Sequence, residues 1–113
     1  LPTQLAGLSA LNYVFEFEKN SFTGTIPTEL GGMTALLDFT LSSNLLTGGV
    51  PSQIGRLTKM TQQFYLQANA LSKTLPTQLG RLTDLSNFII QSNLVTGSLP
   101  TQIGRMGGGP WRR

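Results

Sequence analysis

The sequence contains neither cysteine nor histidine. Without cysteine the chain has no disulfide framework, no thiolate zinc site and no cysteine nucleophile. Without histidine it has no Ser-His-Asp triad and no imidazole to serve as metal ligand or general base. These two absences exclude most hydrolase and metalloenzyme chemistry, so we expect a protein that is not an enzyme and that holds no cofactor and no metal.

Charge is also scarce. Charged residues make up 12% of the 113 residues, about half of the roughly 25% usual in soluble domains. The net charge of +3 is divided unevenly, with −3 over residues 1–55 and +6 over residues 56–113. The basic residues form no dense run, so we expect no nucleic-acid partner. No apolar stretch approaches the roughly 18 residues of a membrane span, and no signal peptide is evident.

A repeat runs through nearly the whole sequence. Proline recurs at intervals of 24 or 25 residues, at Pro2, Pro27, Pro51, Pro76 and Pro100. Asparagine recurs at the same intervals, at Asn20, Asn44, Asn69 and Asn93. Four copies in register predict a repeat protein in which each copy stacks on the next, because no single copy can bury its own apolar face.

The apolar positions keep a fixed distance from each asparagine. Five residues before it stand Phe15, Phe39, Phe64 and Phe88, and three before it stand Phe17, Leu41, Leu66 and Ile90. Both positions point to one face of a strand because side chains alternate along it. We therefore predict a continuous phenylalanine-lined core. The asparagines should form a ladder, about 4.8 Å apart, whose amides satisfy backbone groups leaving the sheet.

The string from Leu36 to Gly55, L-x-x-F-x-L-x-x-N-x-L-x-G-x-V-P-x-x-I-G, resembles the plant-type leucine-rich repeat. The resemblance implies an α/β solenoid: a curved right-handed coil with a parallel sheet on its concave side and short helical turns on its convex side. It covers residues 1–106, about four uncapped repeats, and leaves a glycine-rich tail at 107–113. The family includes receptor-kinase ectodomains, receptor-like proteins and polygalacturonase inhibitors, which implies an extracellular or cell-surface location.

Three local features of the repeat give further expectations. The first and third copies carry one extra residue before the phenylalanine, within 12–14 and 61–63, where we expect a bulge or a widened bend as the chain enters the strand. Lys73 replaces the glycine found at this position in the other copies (Gly24, Gly48 and Gly97), so we expect a strained or altered turn there. Each proline should be the first residue of a short helical segment.

By resemblance to the family, the binding surface lies on the concave sheet. The outward side chains four residues before each asparagine are Glu16, Thr40, Tyr65 and Ile89. Those two before it are Glu18, Ser42, Gln67 and Gln91, and those directly before it are Lys19, Ser43, Ala68 and Ser92. These residues differ between copies while the core positions stay fixed, and a rigid array of side chains loses little entropy on binding. We expect a protein, peptide or glycan partner here, with Tyr65 as an anchor.

Three other surfaces remain as hypotheses. Glu16 and Glu18 should lie about 6.7 Å apart on one strand face, within the range of inverting glycosidases, but nothing indicates a deep pocket and solvated charges are the simpler interpretation. A convex arginine row, either a site for an acidic partner or a solvated ridge, comprises Arg56, Arg81 and Arg105. Hydroxyl rows that suggest an ice-binding face comprise Thr23, Thr47, Ser72 and Thr96, and Thr25, Thr74 and Ser98 interrupted by Gly49.

The two ends lack the cysteine caps usual in plant-type members. The sequence begins inside a repeat at Leu1-Pro2 and loses the pattern after Met106. Because a solenoid must cover the apolar faces of its end coils, we expect a segment of a larger chain. The alternative is a structural subunit of a large assembly, packed through its convex side and with other subunits at both ends. Trp111 is expected to fold back over the last coil or to insert into a partner, and the alternative is that it belongs to a disordered tail.

Overall fold

The computed structural model describes residues 14–97 and the backbone of residues 111–112. The strands are β1 (Val14–Glu16), β2 (Thr23–Thr25), β3 (Asp38–Thr40), β4 (Leu45–Thr47), β5 (Gln63–Tyr65), β6 (Asn87–Ile89) and β7 (Trp111–Arg112). The helices of this part are short 3-10 helices, η1 (Thr28–Gly32), η2 (Ser52–Arg56) and η3 (Thr77–Arg81). Each coil therefore places a strand on one side and a short helix on the other, as the predicted solenoid requires.

The main sheet is parallel, with the strand order β1-β3-β5-β6-β7. Its register places each phenylalanine opposite the next, in the pairs Phe15–Phe39, Phe39–Phe64 and Phe64–Phe88. The prediction that equivalent positions stack is confirmed in this sheet. Trp111 continues the register opposite Phe88, so the chain returns to the sheet in β7. The predicted boundary between repeats and tail at residue 106 lies outside the described residues.

The stacked phenylalanines form the centre of the core. Phe39 and Phe64 have no accessible surface, and Phe15 and Phe88 are 3% and 1% exposed. Successive ring centroids are 5.1, 5.4 and 4.9 Å apart, within the range of favourable aromatic pairs. The helical side closes the core with Leu30, Ile54 and Leu79, all fully buried. Burying each such side chain contributes roughly 1.5–3 kcal/mol, so the spine is a main source of stability and holds the sheet rigid.

The asparagine ladder forms as predicted. Asn69 Nδ2 donates to the carbonyl oxygens of Leu41 at 3.0 Å and Leu66 at 3.1 Å, while its Oδ1 accepts the Leu46 N–H at 3.1 Å. Asn44 and Asn93 make the equivalent bonds. Each of these asparagines thus satisfies backbone groups of the preceding coil and fixes the spacing between coils.

The position of the prolines differs from the prediction, whereas the bulge in the third copy confirms it. Pro27, Pro51 and Pro76 each directly precede a helix instead of opening it. The Pro27 carbonyl accepts the first helical bond, from Leu30 N–H at 3.2 Å. Pro2 and Pro100 lie outside the described residues. The predicted bulge is present in the third copy, where the Leu37 carbonyl accepts N–H groups from both Thr61 and Gln62. Its counterpart in the first copy lies outside the described residues.

The turn that follows each asparagine requires a left-handed backbone. Gly24, Gly48 and Gly97 have φ angles of +79°, +76° and +74°. Lys73 adopts the same conformation at +65°. The substitution at this position therefore leads to strain, which was one of the two predicted outcomes, because L-residues with a side chain rarely occupy this region.

A second, smaller sheet joins β2 and β4 in parallel. Here the prediction that equivalent positions stack is wrong. Thr23 is paired with Leu45, and Thr25 with Thr47, so the register is shifted by two residues relative to the repeat. No helix in the described part of the chain has the length and apolar character that crossing a bilayer requires.

Candidate functional site

The outward side chains of the main sheet form the concave face, and their burial varies along it. Glu16, Glu18 and Gln91 are exposed, whereas Tyr65, Gln67 and Ile89 are half-buried. Thr40 and Ser42 correct the prediction of a projecting surface, since they are only 4% and 3% exposed. Both are short side chains between longer ones on the neighbouring strands. They are therefore the floor of a depression.

We call this depression the concave trough and define it by its floor and walls. Thr40 is paired with Glu16 on one side and with Tyr65 on the other. The floor consists of Thr40 and Ser42, and the walls consist of Glu16 and Glu18 on the β1 side and Tyr65 and Gln67 on the β5 side. Because adjacent strands lie about 4.8 Å apart, the two walls are separated by about 9.6 Å.

The hydroxyl protons of the trough floor point towards Glu18. Ser42 Oγ donates to Glu18 Oε2 at 3.3 Å, and Thr40 Oγ1 lies 3.3 Å from Ser42 Oγ. Since a serine hydroxyl carries a single proton, Thr40 is the donor to Ser42. The hydroxyl protons of Thr40 and Ser42 are therefore both used in these hydrogen bonds, and the two hydroxyl oxygens can only accept hydrogen bonds from a ligand.

A third carboxyl group, not predicted from the sequence, lies at the start of the trough. Asp38 precedes Thr40 by two residues on β3 and therefore faces the same side. It is 5% exposed, and its Oδ1 has no hydrogen-bond partner. Burial raises the pKa of Asp38, the negative charge of Glu16 raises it further, and a hydrogen bond from the Phe39 backbone opposes both. No positive group is among these influences.

The opposite wall has a similar unsatisfied atom. Gln67 Oε1 is buried and has no hydrogen-bond partner. In residues 14–97, no group of three or more acidic side chains is close enough together to hold a metal ion. Beside the trough, the register pairs Tyr65 with Ile89, and these half-buried residues form the apolar part of the face.

The predicted arginine row lies only partly within the described residues. Arg56 and Arg81 are exposed at the ends of η2 and η3, and Arg105 is outside the described residues. Their equivalent in the first helix is Gly32, which is also exposed.

The hydroxyl rows are less regular than predicted. Thr23, Thr25 and Thr47 are exposed on the second sheet, and Ser98 is outside the described residues. Because of the shifted register, Leu45 is the partner of Thr23, and it is 58% exposed. This part of the second sheet therefore mixes hydroxyl groups with a projecting leucine.

No protein-family profile matches the chain, and no curated protein is significantly similar to it. Solved structures are similar. One is the leucine-rich-repeat ectodomain of the Arabidopsis thaliana receptor kinase GASSHO1/SCHENGEN3 in complex with CASPARIAN STRIP INTEGRITY FACTOR 2, with 32% identity and a TM-score of 0.93 over 98% of this chain. Another is the Arabidopsis receptor kinase HAESA in complex with the peptide hormone IDA and the co-receptor SERK1, with 31% identity and a TM-score of 0.90 over 99%. A third is a plant ice-binding protein, with 33% identity and a TM-score of 0.88 over 98%.

The chain spans only 13%, 19% and 36% of the lengths of these three structures. Within that span the agreement covers nearly all of this chain, and it coincides with the repeat string, the stacked phenylalanines and the asparagine ladder. The chain belongs to the plant-type leucine-rich-repeat family.

Proposed function

We propose that this chain is a non-enzymatic recognition segment of an extracellular, receptor-like protein and that it binds a protein or peptide on its concave face. The proposed contact residues are Glu16, Glu18, Thr40, Ser42, Tyr65, Gln67, Ile89 and Gln91. One observation carries the proposal. On β1, β3, β5 and β6 the central, inward residue is a buried phenylalanine, while its outward neighbours differ from coil to coil.

The similar structures support this function at the level of the fold. The GASSHO1/SCHENGEN3 ectodomain is in complex with CASPARIAN STRIP INTEGRITY FACTOR 2, and HAESA is in complex with a peptide hormone and a co-receptor. The extracellular location is proposed for the same reason, since the GASSHO1/SCHENGEN3 structure is an ectodomain. The identity of the partner is left to experiment.

Two adjacent residues on β5 provide the test, because they face opposite sides of the sheet. Partners are first identified by cross-linking mass spectrometry of the co-purifying proteins. Tyr65→Ala should weaken the binding of such a partner about tenfold or more without changing the melting temperature, since Tyr65 is a half-buried surface anchor. Phe64→Ala should instead cost about 3–5 kcal/mol of stability. Unchanged binding by Tyr65→Ala would contradict a concave site.

The same cross-links distinguish the structural-subunit alternative. Lys19 is exposed at the end of the first concave strand, and Lys59 is exposed after η2 on the convex side. A concave partner should cross-link preferentially to Lys19. Cross-links confined to Lys59 and to the two ends of the chain would favour packing in an assembly.

Ice binding is a second candidate, because a plant ice-binding protein shares 33% identity with this chain. The surface proposed for it is the second sheet, where Thr23, Thr25 and Thr47 are exposed. If it binds ice, the whole chain should show thermal hysteresis that Thr47→Glu abolishes. The matched control is Thr58→Glu, at an exposed threonine outside both sheets. Absence of hysteresis and of recrystallisation inhibition in the unmodified chain would reject this candidate.

A further inference from the structure

The unsatisfied groups of the concave trough are all hydrogen-bond acceptors. Asp38 Oδ1 and Gln67 Oε1 are the buried side-chain atoms without partners in the described residues. The floor oxygens add lone pairs only, because the protons of Thr40 and Ser42 are already donated towards Glu18. A complementary ligand must supply donors, and guanidinium and ammonium groups are donors without acceptors.

Charge points to the same class of ligand. Glu16 and Glu18 border the trough, and Asp38 lies at its start, 95% buried and diagonal to Glu16 across the β1–β3 pair. Diagonal side chains on adjacent strands are about 7–8 Å apart, so a cation between Asp38 and Glu16 contacts both. Burying an unpaired carboxylate is unfavourable, and the pKa of Asp38 is raised by burial and by Glu16. A cation bound beside Asp38 offsets both the burial of its carboxylate and its repulsion by Glu16.

The shape of the trough favours arginine over lysine. Tyr65 on the opposite wall is half-buried, which leaves part of its ring accessible. A planar guanidinium stacks on an aromatic face and directs five N–H groups in a fixed fork, whereas an ammonium group is a compact, strongly hydrated charge. The two carboxyl groups lie on adjacent strands, Glu16 on β1 and Asp38 on β3, which suits a fork of N–H donors more than a point charge.

We propose that the concave trough binds the side chain of an arginine in an extended peptide partner, with the guanidinium between Asp38 and Glu16 and beside Tyr65. The proposal rests on the proposed function and adds to it the chemistry that the first two coils recognise. The apolar pair Tyr65–Ile89 lies next to the trough, so the partner's neighbouring residues in the direction of β6 should be apolar.

The direct test is an NMR titration of the whole chain with a defined probe. The probe is an acetylated and amidated octapeptide of glycine, serine and alanine with one central arginine. Its control peptide carries citrulline, which has nearly the same shape but no charge. We expect the arginine peptide to shift the amide signals of Asp38, Glu16 and Gln67, and to bind at least tenfold more tightly than the citrulline peptide. Equal binding of the two peptides would overturn the proposal.

Matched variants assign the binding to the trough. Asp38→Asn and Glu16→Gln should each weaken the arginine peptide at least fivefold. Glu29→Gln removes the same charge from an exposed convex position on η1 and should change affinity less than twofold. A loss of the same size in Glu29→Gln would show that net charge, not the trough, attracts the peptide. The Asp38→Asn chain should melt at or above the temperature of the parent chain, so reduced binding cannot be ascribed to unfolding.

Peptide phage display separates this inference from the proposed function. Selected peptides whose binding is lost in Ile89→Ser identify concave recognition independently of the trough. Among them, enrichment of arginine and sensitivity to Asp38→Asn support the inference. Concave binders that lack arginine, or that tolerate Asp38→Asn, overturn the inference and leave the proposed function standing. Failure to select any peptide sensitive to Ile89→Ser overturns both.

Discussion

Asn69 donates a hydrogen bond to the carbonyl oxygen of Leu41, 28 residues earlier, at 3.0 Å. The bond joins two successive coils at the point where the backbone leaves the main sheet. Asn20 has the same place in the repeat, and within residues 14–97 its side chain donates a local, exposed bond to the Glu18 carbonyl. The bond of Asn69 therefore joins two coils, whereas the bond described for Asn20 stays within its own coil.

Asn69→Asp should be strongly destabilising. An aspartate keeps the shape but cannot donate, so the carbonyl groups of Leu41 and Leu66 lose their bonds and face a negative charge. At about 1–3 kcal/mol for each buried unsatisfied group, we expect a loss of about 2–4 kcal/mol in urea denaturation. Asn20→Asp, the matched control, should cost less than about 1 kcal/mol. Equal losses in the two variants would show that inter-coil bonds contribute little.

Gly55→Ala should be destabilising because the coils approach each other closely there. A Cβ atom at Gly55 would lie 2.5 Å from the Gln78 carbonyl oxygen in the next coil. At Gly32, which is also in a 3-10 helix, a Cβ atom would meet nothing within 4 Å. We expect a cost of about 1–3 kcal/mol for Gly55→Ala. Gly32→Ala should be neutral or stabilise by up to about 1 kcal/mol. Thermal unfolding of the two variants, compared with the parent chain, measures the difference.

Ala68→Gly should stabilise the protein. The residue before each ladder asparagine has a left-handed backbone, with φ of +55° at Lys19, +57° at Ser43, +58° at Ala68 and +59° at Ser92. This conformation costs an alanine roughly 1–2 kcal/mol, part of which is offset by the greater unfolded-state entropy of glycine. We expect a net gain of about 0.5–1 kcal/mol.

Ala70→Gly is the control for this prediction, since the φ angle of Ala70 is not positive. It should destabilise by roughly 0.5–1 kcal/mol. The two substitutions are chemically identical, and their opposite signs in the same denaturation assay would isolate the backbone contribution. A loss of stability in both would contradict strain at Ala68.

Asp38 should make stability depend on pH in the direction opposite to that of most carboxyl groups. Its pKa in the folded protein is raised above the ordinary value of 3.8, so the folded state holds its proton more tightly than the unfolded state. The associated stabilisation is complete below about pH 3.8 and is lost as the pH rises through the raised pKa. Asp38→Asn should therefore be more stable than the parent chain at pH 7, and this advantage should disappear towards pH 3.

Glu16→Gln checks the cause of this shift. Removing the neighbouring negative charge should move the loss of stability to lower pH, because Glu16 contributes to the raised pKa of Asp38. Glu29→Gln, at an exposed site on η1, should leave the profile unchanged. The measurement is the free energy of unfolding in urea at several pH values between 3 and 7. A constant difference between Asp38→Asn and the parent chain over this range would contradict a raised pKa.

The phenylalanine spine and the asparagine ladder were predictable from the sequence, because both follow from equal spacing in successive copies. The register of the second sheet was not predictable, because the repeat determines which residues are equivalent but not the register between the strands of successive coils. Thr23 pairs with Leu45 and not with its repeat equivalent Thr47, which is a register shift of two residues. The regular hydroxyl rows inferred from equivalence are therefore displaced in the structure.

The concave site shows a similar division. Alternation along the strands correctly assigns Thr40 and Ser42 to the concave side, but burial depends on the length of the side chains on both neighbouring strands. Asp38 has the same alternation and was available from the sequence as the residue two before Thr40. The importance of Asp38 could not be predicted from the sequence, because its missing hydrogen-bond partner and its proximity to Glu16 depend on the tertiary structure.

The ladder bonds also have a direction. Asn44 and Asn69 satisfy backbone groups in the turn of the coil before them, so each of these turns receives its side-chain bonds from the coil that follows it. Deleting a whole repeat from the carboxy-terminal side therefore removes the asparagine that satisfies the last remaining turn. Deleting one from the amino-terminal side keeps that asparagine and removes backbone acceptors instead, such as the Phe22 carbonyl that accepts the Leu45 N–H. The array has a built-in polarity, and lengthening it by inserted repeats should succeed most readily when each new unit is followed by another asparagine-bearing coil.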